Sequence, residues 1–193
     1  MTYYKKLVGN KCYLSPICEE SAQNWTKWDN DLEVAVPLGD EAYNNYPLQK
    51  IKEIIGNCIE KQDHIFDIIM TDNDEHIGRC LLFEVNHINR RATLGIVIGE
   101  KQYWNNGYGH EATNLLLDYG FNLLNLQNIM LGVLSFNQRA ISCYRKVGFK
   151  EIGRRRKARL INGRWYDLVY MDMLNEEFES IYVKHCLSIG RDQ

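Results

Sequence analysis

Apolar residues along this chain recur in two rhythms, and the switches between them mark out its elements. Lys11 to Ser15 alternates as a first strand, which Pro16 ends. Over Glu19 to Trp28, Ala22, Trp25 and Trp28 return at helical spacing behind an acidic first turn, predicting a short helix. Asp29 to Tyr46 carries no such rhythm and reads as an acidic loop. Pro47 suits a helix start. Leu48, Ile51, Ile54, Ile55 and Ile59 then lay one apolar stripe through Glu60, with Lys50, Lys52 and Glu53 turned to water. Further strands read over His64 to Met70, His76 to Val85 and Ala92 to Ile98, the last β-branched and apolar. Joined by the short connections 71–75 and 86–91, these strands predict an antiparallel meander.

From Tyr103 to Leu124 the pattern becomes a glycine turn and then a helix. Asn105-Asn106-Gly107-Tyr108-Gly109 is turn-prone, after which Ala112, Leu115, Leu116, Tyr119 and Leu123 mark one buried helix face. A strand, a glycine turn and a helix N-terminus offer unpaired N–H groups and a positive dipole end, which suits a phosphate. No Gly-Lys-Ser/Thr follows, and the third glycine and acidic ribose ligand of the dinucleotide fingerprint are missing. On spacing alone, a tight turn with no ligand serves equally well. Ile129 to Leu134 is the next strand, and the helical crossover makes it parallel to 92–98. A helix over Arg139 to Val147 capped by Gly148 follows. A hairpin of Phe149–Leu160 and Tyr166–Leu174 turns at Asn162-Gly163, and 175–193 is read as a helical tail of one domain spanning 1–193.

The segment VLSFNQRAISCYRKVGF, Val133 to Phe149, completes a pattern begun at Trp104-Asn105-Asn106-Gly107-Tyr108-Gly109-His110-Glu111-Ala112. Together they resemble the GNAT superfamily of N-acetyltransferases over about Lys11 to Leu174. Trp104 stands where Gln or Arg is usual, and tryptophan there is similar to the RimJ and RimL branch. The run Glu84-Val85-Asn86-His87-Ile88-Asn89-Arg90-Arg91-Ala92, with Ile161-Asn162-Gly163-Arg164, also looks like the spermidine N-acetyltransferase branch.

The resemblance implies an α/β (α+β) fold, a mixed and mostly antiparallel seven-stranded sheet with two parallel central strands that splay apart. It implies acetyl-CoA as cosubstrate, its pantetheine arm against the backbone of Ile96, Val97 and Ile98. Its pyrophosphate would lie on Trp104, Asn105, Asn106, Gly107, Tyr108, Gly109 and His110. Asn137 would bond the pantetheine arm, Arg139 and Lys146 would add charge near the phosphates, and Tyr144 would protonate the leaving thiolate. No cysteine stands where a covalent acetyl carrier is expected, so the amine would attack directly in a ternary complex.

The general base is less legible. Met130 to Ser135 offers no carboxylate, which leaves Glu84 or an acid of the 29–41 loop, with Ser135 orienting a water. His64, His76 and His87 read as surface residues near strand ends. An acidic lip at 29–41 would attract a cationic acceptor, either a polyamine or a protein α-amine. A catalytically idle acyl-CoA-binding module is the alternative of another class.

Composition narrows this further. Of 193 residues, 45% are hydrophobic and 25% charged, enough for one sizeable core. A net charge of −2 argues against a dedicated DNA binder. No apolar run reaches the roughly 18 residues of a membrane span, and the start lacks a signal-peptide core, so a cytoplasmic protein is expected. Six scattered cysteines without C-x-x-C or histidine partners read as reduced thiols, with no metal. The basic run Arg154-Arg155-Arg156-Lys157-Ala158-Arg159 reads as a solvated strand, with an acidic or ribosomal partner or the cofactor's 3′-phosphate as the alternative, and the exposed hairpin around it allows self-association.

Overall fold

The computed structural model describes residues 2–184. The chain opens with the antiparallel strands β1 (Leu7–Val8) and β2 (Cys12–Pro16), followed by helices α1 (Ala22–Asp29), α2 (Leu32–Ala35) and α3 (Leu48–Lys61). The predicted meander follows as β3 (His64–Met70), β4 (His76–Asn86) and β5 (Arg91–Ile98). Then come α4 (Tyr108–Asp118), β6 (Asn128–Leu134), α5 (Gln138–Val147) and the hairpin of β7 (Lys150–Ile161) and β8 (Arg164–Leu174). One sheet runs in the order β1-β2-β3-β4-β5-β6-β8-β7. Among the described residues, only β5 and β6 are parallel neighbours.

The sheet has eight strands rather than the expected seven. The extra one, β1, pairs only Leu7 with Leu14 and Val8 with Tyr13, too short a piece to show alternation. The acidic stretch is not a plain loop either. Asp31 caps α2 by accepting a hydrogen bond from the Glu33 N–H at 3.0 Å, and a 3₁₀ turn spans Asp40–Tyr43. The central helix ends as an α-helix at Asp118 and closes with a π-turn over Tyr119–Leu123. Of the predicted helical tail, a 3₁₀ turn occupies Asn175–Glu177, and 185–193 lie outside the described residues. The Asn162-Gly163 signal holds, with φ of 47° and 72° at the two turn residues.

Alternation along β5 sends its side chains into two cores. Ala92 and Leu94 join the cluster under α4 and α5, with Leu115, Leu116, Ile129, Val133 and Ile141. Val97 joins Trp25, Trp28, Val34, Ile51 and Ile55 under α1–α3 on the other face. Each core pins one side of the central strands.

Candidate active site

Strands β5 and β6 are paired only at Arg91–Asn128, Ala92–Ile129 and Thr93–Met130, after which they part. A cavity of about 1240 Å³ fills the resulting slot. The backbone of β5 faces it selectively. The Gly99 N–H donates to the Ile77 carbonyl at 2.8 Å, and the antiparallel alternation this sets turns the backbone of Ile96 and Ile98 toward β6 and that of Val97 back to β4. The Ile98 carbonyl accepts the Trp104 indole N–H at 2.6 Å, so Ile98 has only its N–H to give. Of the three residues expected along a pantetheine arm, Ile96 is best presented and Val97 is spent on the sheet.

The mouth of the slot is the N-terminus of α4. Asn105 and Gly107 hold φ of 62° and 89°, and this left-handed pair swings the chain into the helix. Gly107 is the N-cap, and no side chain caps the helix, so its first N–H groups are left for an anion. Trp104, Asn105, Gly107, Gly109 and His110 line the cavity; Asn106 and Tyr108 do not. Tyr108 instead packs edge-on to Tyr103, and the Asn106 carbonyl accepts Lys11 Nζ at 2.9 Å.

Across the slot, α5 contributes Asn137, Arg139, Tyr144 and Lys146 to the lining. The Asn137 side-chain oxygen caps α5 by accepting the Ala140 N–H at 3.2 Å, which leaves its amide NH₂ free to donate. Arg139 lies 3.5 Å over the Trp104 ring and has no carboxylate partner among the described residues. The desolvation of the face pressed on the indole lowers its pKa from the ordinary value. Replacing Arg139 by Ala is therefore expected to raise the Kd for coenzyme A about tenfold by calorimetry, one charge-assisted phosphate contact.

Tyr144 is 9% exposed, edge-on to Phe149, and its hydroxyl has no hydrogen-bond partner among the described residues. Burial first, and then the neighbouring Cys143, push its phenol well above the ordinary value, so it carries its proton at neutral pH.

Glu84 lines this cavity and also a second one of about 600 Å³ that shares Glu41, Arg79, Leu81 and Phe83 with it. Ser135 lines neither cavity. Its hydroxyl accepts the Asp167 N–H at 3.1 Å, and its own N–H donates to the Asp167 carbonyl.

The acidic lip is partly neutralised. Asp29 pairs with Arg79 at 2.6 Å, and Asp31 and Glu33 both bind Lys101. Among the described acidic side chains of that stretch, Glu41 reaches the cavities. Two of the three histidines also depart from expectation, while His87 is exposed as expected. His76 is buried, its Nε2 3.1 Å from the buried Asp67 carboxylate, and His64 is bonded to the Tyr119 hydroxyl at 2.8 Å.

Sequence reasoning missed the clamp behind the phosphate loop. Glu111 in the first turn of α4 is buried and accepts the N–H groups of Asn10, Lys11 and Cys12 at 2.9, 2.7 and 2.8 Å. Its place as the acidic residue in the first turn of α4, four residues after the Gly107 N-cap, was the available signal.

Residues 11–150 match the model of the acetyltransferase (GNAT) domain. The chain belongs to the GNAT acetyltransferases. It is 35% identical over 139 residues to the spermidine N(1)-acetyltransferase of Vibrio cholerae, covering 72% of this chain and 79% of that one. With the spermidine N(1)-acetyltransferase of Escherichia coli K12 it shares 29% over 165 residues, 86% of this chain and 87% of that one. Among solved structures, the Vibrio cholerae spermidine N-acetyltransferase in complex with CoA and spermine superposes with a TM-score of 0.80. The two are 25% identical, and the match covers 88% of this chain and 99% of that one. A Bacillus anthracis GNAT-family acetyltransferase shares the fold at 18% identity, with a TM-score of 0.77 over 89% of this chain and 99% of that one.

The protein is thus an acetyl-CoA-dependent N-acetyltransferase of this family. The slot suits its cosubstrate: a free strand edge for the pantetheine amides, then an uncapped helix N-terminus and the unpaired Arg139 for the pyrophosphate.

Proposed function

We propose that this acetyltransferase acts on a primary amine of a linear polyamine, with Glu84 as general base and Tyr144 as general acid. The observation that carries the acceptor is the pair of neighbouring cavities with shared acidic walls. Glu41 and Glu84 line both, and Asp63 lines the second, so carboxylates recur along two neighbouring cavities, which suits amines spaced along a flexible chain. The ion pair with Asp29 offsets the charge of Arg79 beside it. The names of the two curated relatives point the same way.

In this reading Glu84 takes a proton from the arriving ammonium, and the freed nitrogen lone pair forms the N–C bond at the thioester carbonyl. As the C–S bond breaks, Tyr144 gives its proton to the departing sulfur, leaving free coenzyme A and the acetylated amine. Tyr144 recovers a proton from solvent, and Glu84 releases one. The Ile96 edge supplies the N–H that polarises the carbonyl. Asn137 orients the pantetheine arm, and Lys146 and His110 add to the phosphate end. Five of the six cysteines are free and unpaired, Cys186 lying outside the described residues, which fits a reducing cytoplasm. The open β7–β8 hairpin would serve self-association.

The test is a thiol-release assay with spermidine, spermine, aminoglycosides and N-terminal peptides. Spermidine is expected to give kcat/KM at least about 100-fold above any peptide. Glu41→Gln should raise KM for spermidine about tenfold, about 1.4 kcal/mol, and leave KM for acetyl-CoA unchanged. Peptides turning over as fast as polyamines would overturn the acceptor.

A further inference from the structure

We infer that Thr93 is a positioning residue that aims the Glu84 carboxylate into the slot. The inference rests on Glu84 as general base and adds what holds it in place.

Three observations converge. First, the Thr93 hydroxyl donates to Glu84 Oε2 at 3.0 Å, and both residues line the cavity. Second, Thr93 is the last β5 residue paired with β6, opposite Met130, so its side chain stands where the slot opens. Third, Glu84 does not sit on a regular strand. The pairing of β4 with β5 slips between Phe83–Thr93 and Asn86–Arg91, so that Glu84 and Val85 together stand opposite Ala92. Glu84 holds φ of 52° in this bulge, a left-handed conformation that a residue with a Cβ adopts at a cost. The bulge turns the exposed Glu84 side chain out of the regular alternation, and Thr93 is the hydrogen-bond partner that then fixes it.

A glutamate on a surface strand samples many rotamers. With Oε2 held by Thr93, Oε1 stays free to take the proton of the acceptor ammonium. A hydroxyl at this position is therefore required, and its methyl is not. Thr93→Val keeps the shape and removes the donor, whereas Thr93→Ser keeps the donor and removes the methyl.

The experiment measures kcat, KM for both substrates and coenzyme A affinity by calorimetry for Thr93→Val, Thr93→Ser, Glu84→Gln and the Thr93→Val/Glu84→Gln double variant. Thr93→Val is expected to lose on the order of tenfold in kcat, the size of one hydrogen bond to a charged group, with KM for acetyl-CoA and coenzyme A affinity unchanged. Thr93→Ser should stay within about twofold of the parent, and the double variant should be no slower than Glu84→Gln alone. A slow Glu84→Gln with a fully active Thr93→Val would overturn the positioning role and leave the base intact. A fully active Glu84→Gln would instead remove the base, and the inference with it. Equal losses for Thr93→Val and Thr93→Ser would reduce Thr93 to a packing residue.

Discussion

Tyr144→Phe is expected to lower kcat by roughly 10²- to 10⁴-fold, the range for removing a general acid, while coenzyme A affinity changes less than about threefold. The change removes one oxygen and leaves the ring edge-on to Phe149, so fold and slot stay as they are. The hydroxyl has no partner among the described residues, so its loss strands no other polar group. On the proposed mechanism, what disappears is the proton for the departing thiolate. The pH profile carries a second expectation. Burial raises the Tyr144 pKa, so the folded protein keeps the phenol protonated above the value of about 10 at which a free tyrosine titrates. The alkaline limb of kcat should therefore show no loss assignable to this group below about pH 10. Tyr144→Phe with normal turnover would remove the acid from the mechanism, and a module that only binds acyl-CoA would show no turnover to lose.

The elements that sequence patterning located well are those with a local cause. Strand β3 was legible to the residue because His64 to Met70 is apolar and bounded by turns, and the I′ turn because Asn-Gly accepts positive φ. The parallel relation of β5 and β6 followed from the crossover helix between them. The divergence of the pair beyond Thr93, by contrast, came only from the family resemblance, because no local signal marks where two strands stop touching. The insertion of β8 between β6 and β7 is likewise a long-range choice.

The same division holds at the site. The glycine turn, Asn137 and Tyr144 sit in continuous motifs and were readable. Arg139 over Trp104 joins residues 35 positions apart, and Asp29 with Arg79 joins residues 50 apart, so their pairing depended on the folded chain. The acidic lip illustrates the cost of reading charge without partners. Asp29, Asp31 and Glu33 looked like a magnet for cations, yet Arg79 and Lys101 offset two of their three charges. Ser135 was expected to orient a water, and the backbone of Asp167 has already engaged it.

Glu111→Ala should be the most damaging single change outside the slot. Its carboxylate accepts three consecutive backbone N–H groups of the β1–β2 turn, each at 2.9 Å or less, and the residue is buried. Truncation leaves those donors without their acceptor, and hydrogen bonds to a charged group are worth about 1.5–3 kcal/mol each before overlap between them is counted. A loss of about 3–5 kcal/mol overall corresponds to a fall in Tm of roughly 6–20 °C for a chain of this size, which calorimetry or circular dichroism would read. The damage should also reach the cosubstrate. The same turn carries Lys11, whose Nζ holds the Asn106 carbonyl at 2.9 Å beside Gly107, so a loosened turn loosens the phosphate loop. At a temperature where the variant is still folded, KM for acetyl-CoA should rise several-fold, with kcat at saturation close to the parent. Glu111→Gln keeps a carbonyl acceptor but loses the charge, and should fall between the two in both stability and KM. A variant as stable as the parent with an unchanged KM would mean that the clamp does not hold the loop, and that Gly107 and Asn105 set its shape alone.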